Sequence, residues 1–182
     1  ARCGTKTVMI PTAALKMGHG ITSRGMLPEM LDAGICVGLG TDAGNSSNLI
    51  ETMRAMYLIT VLFKDARQTT GVVPAETALE MATIQGARAL GLGDEIGSIE
   101  GGKKADLVLF DTKRPEWRTL FNPVNNLVYN ADGRSVHTVI VDGRVVIEAH
   151  KPAFVDEWQL IEKVQAVGET MLQRNNVSFP QR

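Results

Sequence analysis

The hydrophobic pattern changes character near Gly91. Before it, short apolar runs alternate with stretches of helical period. Thr7-Val8-Met9-Ile10 is a short run ended by Pro11 and reads as a strand. A loop over residues 12–20 is expected next, then a helix over 23–33. There Met26, Leu27, Met30 and Leu31 form one stripe, Ser23 offers an N-cap and Gly34 a stop. The run 35–41 predicts a second strand. A longer helix is expected from about Asn48, because Asn48 and Glu51 have capping-box spacing. Leu49, Met53, Met56, Thr60 and Phe63 would share its inner face. Pro74 suits the first position of a further helix that runs toward Leu90. Strand, helix, strand, helix, helix is a parallel α/β pattern. Two parallel strands, however, neither close a barrel nor make a stable sheet alone.

After Gly91 the pattern turns to period two. Gly97, Gly101 and Gly102 punctuate a turn-rich stretch, and residues 106–111 read as a strand. Residues 136–141 and 144–148 flank Asp142-Gly143, the strongest short hairpin signal, because this pair supplies the positive-φ positions of a type I′ turn. This part is expected to be a small antiparallel unit. Asp156 and Gln159 then open an amphipathic helix with Leu160, Val164, Val167 and Met171 on one stripe.

The second strand carries the most informative residue. Val37-Gly38-Leu39-Gly40-Thr41 stops on Asp42, and the polar loop Ala43-Gly44-Asn45-Ser46-Ser47-Asn48 follows. Side chains alternate along a strand, so Cys36, Gly38, Gly40 and Asp42 share one face and Ile35, Val37, Leu39 and Thr41 the other. The first face is small, so another backbone should lie close to it. An acid at the C-terminal tip of a strand stands where parallel α/β folds gather their chemistry. The same acid can also simply fix the next turn, and the residues alone leave both readings open.

Composition narrows the classes. The chain has 182 residues, 44% hydrophobic, 21% charged and 5% aromatic, with net charge −1. No basic block marks a nucleic-acid surface, and no membrane-binding face is visible. No apolar run approaches the roughly 20 residues needed to span a bilayer. Cys3 and Cys36 are too few for a disulfide framework or a Cys-based zinc site, so a reducing compartment, the cytoplasm, is expected. The start at Ala1 is neither a methionine nor a signal peptide.

Several segments together resemble the C-terminal part of the amidohydrolase superfamily, in the branch of cytosine, guanine and adenosine deaminases and triazine hydrolases. They are Gly40-Thr41-Asp42 with Ser47-Asn48, Glu51 and Met53-Arg54 on the next helix, and Ala78 to Leu92. They continue with Gly97-Ser98-Ile99-Glu100-Gly101-Gly102-Lys103-Lys104-Ala105-Asp106-Leu107-Val108, then Asn122-Pro123-Val124, Leu127-Val128-Tyr129 and Val139-Ile140-Val141-Asp142-Gly143. The resemblance covers roughly residues 7–150. It implies an α/β fold: the C-terminal part of a (β/α)8 TIM-like metal-dependent hydrolase barrel, plus the C-terminal share of a small β-sandwich. Residues 1–92 would hold barrel strands seven and eight, 93–150 the sandwich portion, and 151–182 a C-terminal helix and tail.

The resemblance also implies an activity. The family holds one divalent metal, zinc or iron, through a His-x-His pair and two further histidines in earlier barrel segments. None of His19, His137 and His150 falls in such a position. By resemblance Asp42 alone is a ligand here, and the chain reads as a fragment whose N-terminal remainder carries the rest. Such an ion lowers the pKa of bound water to about 7. Asp42 would be both ligand and proton shuttle while hydroxide attacks the amino-bearing carbon of a purine-, pterin- or pyrimidine-like ring. A carboxylate is needed to do both. On its own the chain is expected to hold no tight catalytic metal and to turn nothing over. Triazine-type displacement of chloride, or a scaffold without catalysis, are the alternatives. The implied partners are a small heterocyclic substrate and further copies of the same protein, since family members are often dimers or larger.

Ser46, Asn45 and His19 are the substrate-binding candidates. Lys16 reads as a solvated charge and Arg54 as a helix brace through an ion pair. His137 reads as structural, and His150 lies beyond the hairpin. Here Asp42-Ala43-Gly44 stands where relatives often place glycine directly after the acid. The two strands, lacking neighbours, are expected to leave apolar surface exposed.

Overall fold

The structure is a computed structural model that describes residues 2–179. Strands β1 (Thr7–Met9) and β2 (Val37–Leu39) pair in parallel, with Thr7 opposite Val37 and Met9 opposite Leu39. Parallel strands need a crossover. Three short helices supply it, α1 (Pro11–Lys16), α2 (Ile21–Arg24) and α3 (Leu27–Asp32). The pattern predicted one loop and one helix here. Pro11 starts α1 because a first-turn residue needs no N–H partner. Gly25 takes an extended conformation and ends α2 before α3 begins. Ser23 is therefore no N-cap; it sits inside α2, where its hydroxyl donates to the Gly20 carbonyl. Met26 turns outward at the break while Leu27 is fully buried.

Four helices follow β2: α4 (Gly44–Ser47), α5 (Thr52–Arg67), α6 (Ala75–Ala82) and α7 (Ile84–Leu90). The expected capping box does not form. Asn48 closes α4 in the left-handed conformation, and Glu51 stands at the N-cap of α5 without a side-chain cap. Glu51 instead accepts the Gly133 N–H at 2.8 Å, joining α5 to a segment far along the chain. At its other end Arg67 binds Glu29 at 2.8 Å and the Gly25 carbonyl at 3.0 Å. Arg67 thus makes the bracing ion pair expected of Arg54, which is exposed and has none among the described residues.

The core forms where α5 and α6 meet β2. Met53, Met56, Ile59 and Phe63 of α5 pack with Ala75, Ala78 and Met81 and with Val37. Phe63 and Ile59 are fully buried. The small face of β2 meets α7. A Cβ on Gly38 would lie 3.1 Å from the Gly86 Cα and 3.6 Å from the Ala89 Cβ. This is the close backbone approach that the small residues of the strand predicted.

Gly97 leads the chain away across α7. It has φ +94, and a Cβ there would sit 2.7 Å from the Ala87 Cβ and 2.9 Å from the Ile84 Cα. Beyond it, β3 (Leu107–Phe110), β4 (Val136–Val141), β5 (Arg144–Glu148) and β6 (Lys151–Pro152) form one antiparallel sheet in that order. Residues 136–141 and 144–148 are strands, as the alternation predicted. Asp142 and Gly143 both have positive φ, as the I′ turn requires. The Asp106 carboxylate accepts the Asp142 N–H at 2.7 Å, fixing the hairpin tip to the chain before β3.

Between β3 and β4 the chain returns to the helices. Asn122 caps α8 (Pro123–Asn125) by accepting the N–H groups of Val124 and Asn125. The π-helical turn Asn126–Asn130 then inserts Val128 into the core of α5 and α6. The Lys64 ammonium meets the Tyr129 hydroxyl and lies 4.9 Å from its ring centre. Glu116 holds this return in place: its carboxylate accepts from Arg114 and from the Ser135 hydroxyl, each at 2.8 Å. The last helix, α9 (Glu157–Arg174), starts at Asp156, which accepts the Gln159 N–H at 3.0 Å. None of its residues is buried, so the predicted stripe faces solvent.

The core thus closes over β2 but not over β1. Val8 remains 46% exposed, and Val108, Leu109, Val141 and Val145 of the sheet are 46–49% exposed. Among the described residues neither β1 nor β2 has a second strand partner.

Two stability outcomes follow. Gly97→Ala must shift α7 or the loop, and we expect a loss of about 1–3 kcal/mol in urea unfolding, where an unchanged midpoint would refute the close contact. The second outcome concerns pH. Glu116's own backbone N–H, then Arg114 and the Ser135 hydroxyl, hold its carboxyl down at about 2. A depressed carboxyl contributes stability above its unfolded value and loses it as pH falls toward the folded one. Stability should therefore decline between pH about 4.5 and about 2, and the decline should be shallower in Glu116→Gln.

Candidate functional site

The chain leaves β1 and β2 at the same edge, because parallel strands point the same way. Ile10 leads from β1 into α1, and Thr41-Asp42-Ala43 leads from β2 into α4. The two exits are tied together. Thr12 donates its hydroxyl to the Thr41 carbonyl at 3.2 Å. Lys16, at the end of α1, reaches across to the Asn45 carbonyl at 3.3 Å and to the Asn48 side-chain oxygen. The ammonium read as a solvated loop charge is therefore the clamp between the two loops. No sequence signal separated it from other loop lysines, since the pairing spans 29 and 32 positions.

Asp42 stands in the middle of this edge at φ +66. Asp and Asn tolerate the left-handed region because their short polar side chains bond locally. Its Oδ1 accepts the Ala43 N–H at 2.7 Å. That contact, and second the Ser46 hydroxyl, hold its carboxyl below the usual range. The Ser46 hydroxyl also lies 3.1 Å from the Ala43 carbonyl and can donate its one proton to either acceptor. Asp42 is exposed, so burial does little to oppose its charge. At the tip of its strand Asp42 is thus an ionised carboxylate on an open edge.

Asp42 and Ser46 are therefore together. Asn45 contributes its backbone carbonyl to Lys16. His19 stands exposed in the turn after α1, held by its N–H to the Ala14 carbonyl at 2.9 Å, and no hydrogen bond joins it to Asp42. Two hollows lie away from this edge. One of about 330 Å³ is lined by Arg118, Phe121, Asn126 and Tyr129. Another of about 320 Å³, lined by Cys36, Glu80, Gln85 and Arg88, opens at the opposite end of β2.

The donor set bears on a metal. Among the described residues no group of three His, Cys, Asp or Glu side chains could hold an ion. A catalytic zinc takes three protein ligands and an open position. Asp42, ionised and exposed, suits one ligand position, but these residues do not form a complete metal site. The glycine-rich stretch after Gly97 carries no chemistry of its own. Lys103 turns back to Ser98 at 2.5 Å and to Glu100 at 3.2 Å, closing that loop. No helix among the described residues is long and apolar enough to cross a membrane.

Comparison with known proteins supplies the remaining context. The sequence pattern of the amidohydrolase family matches residues 3–146. A 5-methylthioadenosine/S-adenosylhomocysteine deaminase of Acetivibrio thermocellus is 37% identical over 169 residues, 93% of this chain and 38% of the relative. A 5'-deoxyadenosine deaminase of Methanosarcina acetivorans is 35% identical over 91% of this chain and 37% of its own length. Among solved structures, a zinc-bound adenosine deaminase from Xanthomonas campestris superposes with TM-score 0.84 and 29% identity, over 92% of this chain and 38% of that one. A zinc-bound atrazine chlorohydrolase from Arthrobacter aurescens gives TM-score 0.81 and 26% identity, over 91% and 36%. The chain spans 38% of the length of the first of these relatives.

The backbone at Asp42 makes a test that needs no activity. Asp42→Asn should unfold at nearly the wild-type urea concentration, because Asn also accepts left-handed φ, whereas Asp42→Val should unfold clearly earlier. Equal midpoints for the two variants would contradict the conformation described.

Proposed function

The chain belongs to the amidohydrolase family, and from that membership we propose that it is the C-terminal portion of a metal-dependent aminohydrolase acting on an adenine-type ring. Among purine, pterin and pyrimidine rings, the relatives named for 5'-modified adenosines support the purine. The observation that carries the reading is Asp42, an ionised carboxylate at the tip of β2, on the edge where both strand exits meet.

In this reading Asp42 is one ligand of a divalent ion, zinc or iron, whose other ligands lie outside the residues described. The zinc-bound neighbours support zinc. When bound, the ion supplies water acidic enough to yield hydroxide near neutral pH. The chain's own residues do the rest. Asp42 accepts a proton from the attacking water and delivers it to the leaving amine. The Ala43 N–H and the Ser46 hydroxyl hold its carboxylate in place and ionised. Thr12 and Lys16 keep the two loops at fixed separation. Ser46, Asn45 and His19 are the residues of this chain proposed to line the ring.

Residues 1–92 belong in this proposal to a (β/α)8 barrel, 93–150 to a β-sandwich and 151–182 to a terminal helix and tail. The exposed apolar positions on β1 and on the sheet suit surfaces that neighbours cover. We place the whole protein in the cytoplasm as a homo-oligomer. Chloride displacement is the second reading, favoured by the chlorohydrolase neighbour.

The test uses the whole protein and its Asp42→Asn variant, assayed for ammonia release from 5'-deoxyadenosine and 5-methylthioadenosine and for chloride release from atrazine. Ammonia release should fall by about 10²–10⁴-fold in the variant. Unchanged turnover would remove Asp42 from the chemistry, and chloride release alone would select the second reading.

A further inference from the structure

The sheet carries a second constellation that the proposed reaction does not use. His137 of β4 and His150, in the turn between β5 and β6, meet in a T-shaped arrangement with ring centres 5.1 Å apart and planes at 73°. We propose that these two imidazoles bind a divalent transition-metal ion of the zinc, nickel or copper kind.

The backbone brings the pair together. Glu148 and Lys151 pair across a two-residue turn made of Ala149 and His150, at φ +48 and +66. Such turns ordinarily take Asn or Gly at both positions. Here the second position carries an imidazole instead. The His150 N–H donates to the His137 carbonyl at 3.0 Å, which fixes the turn against β4.

Hydrogen bonding then decides which ring nitrogen is free. His150 Nδ1 lies 2.7 Å from the Val136 carbonyl oxygen. A carbonyl only accepts, so Nδ1 carries the proton and Nε2 keeps its lone pair in the neutral ring. A backbone carbonyl that orients one nitrogen while the other ligates is the usual support of a metal-binding histidine. His137 Nδ1 lies 2.8 Å from the Thr138 hydroxyl, which can accept its proton in the same way.

The spacing suits a shared ion. Zinc–nitrogen bonds are about 2.0–2.1 Å, and a ring centre lies ~1.2 Å beyond its nitrogen, so two imidazoles at a tetrahedral angle place their centres about 5 Å apart. The rings stand at 5.1 Å. Both residues are exposed, so water can fill the remaining positions. Two imidazoles without a carboxylate select transition metals over magnesium and calcium, which demand oxygen ligands. A bound ion would clip the turn before β6 to β4 and so stiffen the approach to α9.

The experiment titrates the 182-residue chain with zinc and copper chlorides by calorimetry, with magnesium chloride as control, and follows the histidine ring protons by NMR. We expect one zinc or copper ion per chain, signals of His137 and His150 changing together, and no response to magnesium. His137→Gln and His150→Asn should each abolish saturable binding; Asn tolerates the left-handed turn, and circular dichroism verifies that each variant folds. Asp42→Asn should leave the binding unchanged. Absence of saturable binding, its survival in either folded histidine variant, or its loss in Asp42→Asn would overturn the proposal. A simple edge-to-face contact between the rings predicts that first outcome.

Discussion

The contact between the backbones of β2 and α7 is the constraint on which the rest of this structure depends. Gly38 and Gly86 come so close that a Cβ on Gly38 would stand 3.1 Å from the Gly86 Cα, tight enough that one backbone would have to give. That contact sets the height of β2 against the helices, and the strand's other face then offers Val37 to α5 and α6. Asp42 stands four residues beyond Gly38 on the same strand course, so its place at the edge is inherited from this packing. The crossing at Gly97 uses the other side of α7 to send the chain toward the sheet. One seven-residue helix therefore positions both the edge that carries Asp42 and the start of the β region.

The edge itself is built to hold two loops rather than to enclose a ligand. Thr12 and Lys16 join the exits of β1 and β2 through backbone and amide oxygens, which fixes the geometry of the two loops. Two hollows among the described residues lie elsewhere. Asp42 is an open carboxylate held by two local donors, the Ala43 N–H and the Ser46 hydroxyl. Its proposed function depends on walls and ligands contributed by the larger part of the relatives' length.

Local signals in the sequence were the most legible. The Asp142-Gly143 turn, the strands on either side of it and the Asp156 cap depend on residues within a few positions of each other, and all are present. The small face of β2 foretold a close neighbour but not which one. The place of Asp42 just beyond β2 was legible because a charged side chain ends an apolar run, whereas its left-handed backbone was not. What failed was non-local. Ser23 and Asn48 have the chemistry of caps, yet Gly25 and the short α4 shift the helix starts away from them. Lys16 and Glu51 found partners 29 and 82 positions away, which no spacing rule encodes. Arg67, not Arg54, braces α5, because the choice rests on where α3 lies.

The return of the chain at Asn126–Asn130 has a consequence for covalent continuity. Val128 is buried among the side chains of α5 and α6, and Gly133 is held by Glu51. The stretch around Glu100-Gly101-Gly102 is exposed and carries none of these contacts. Cutting the chain there would sever the peptide link without separating the pieces. The sheet would stay anchored through the inserted turn, and the two polypeptides would behave as a noncovalent heterodimer. The fold thus contains a natural position for dividing this protein into complementing halves.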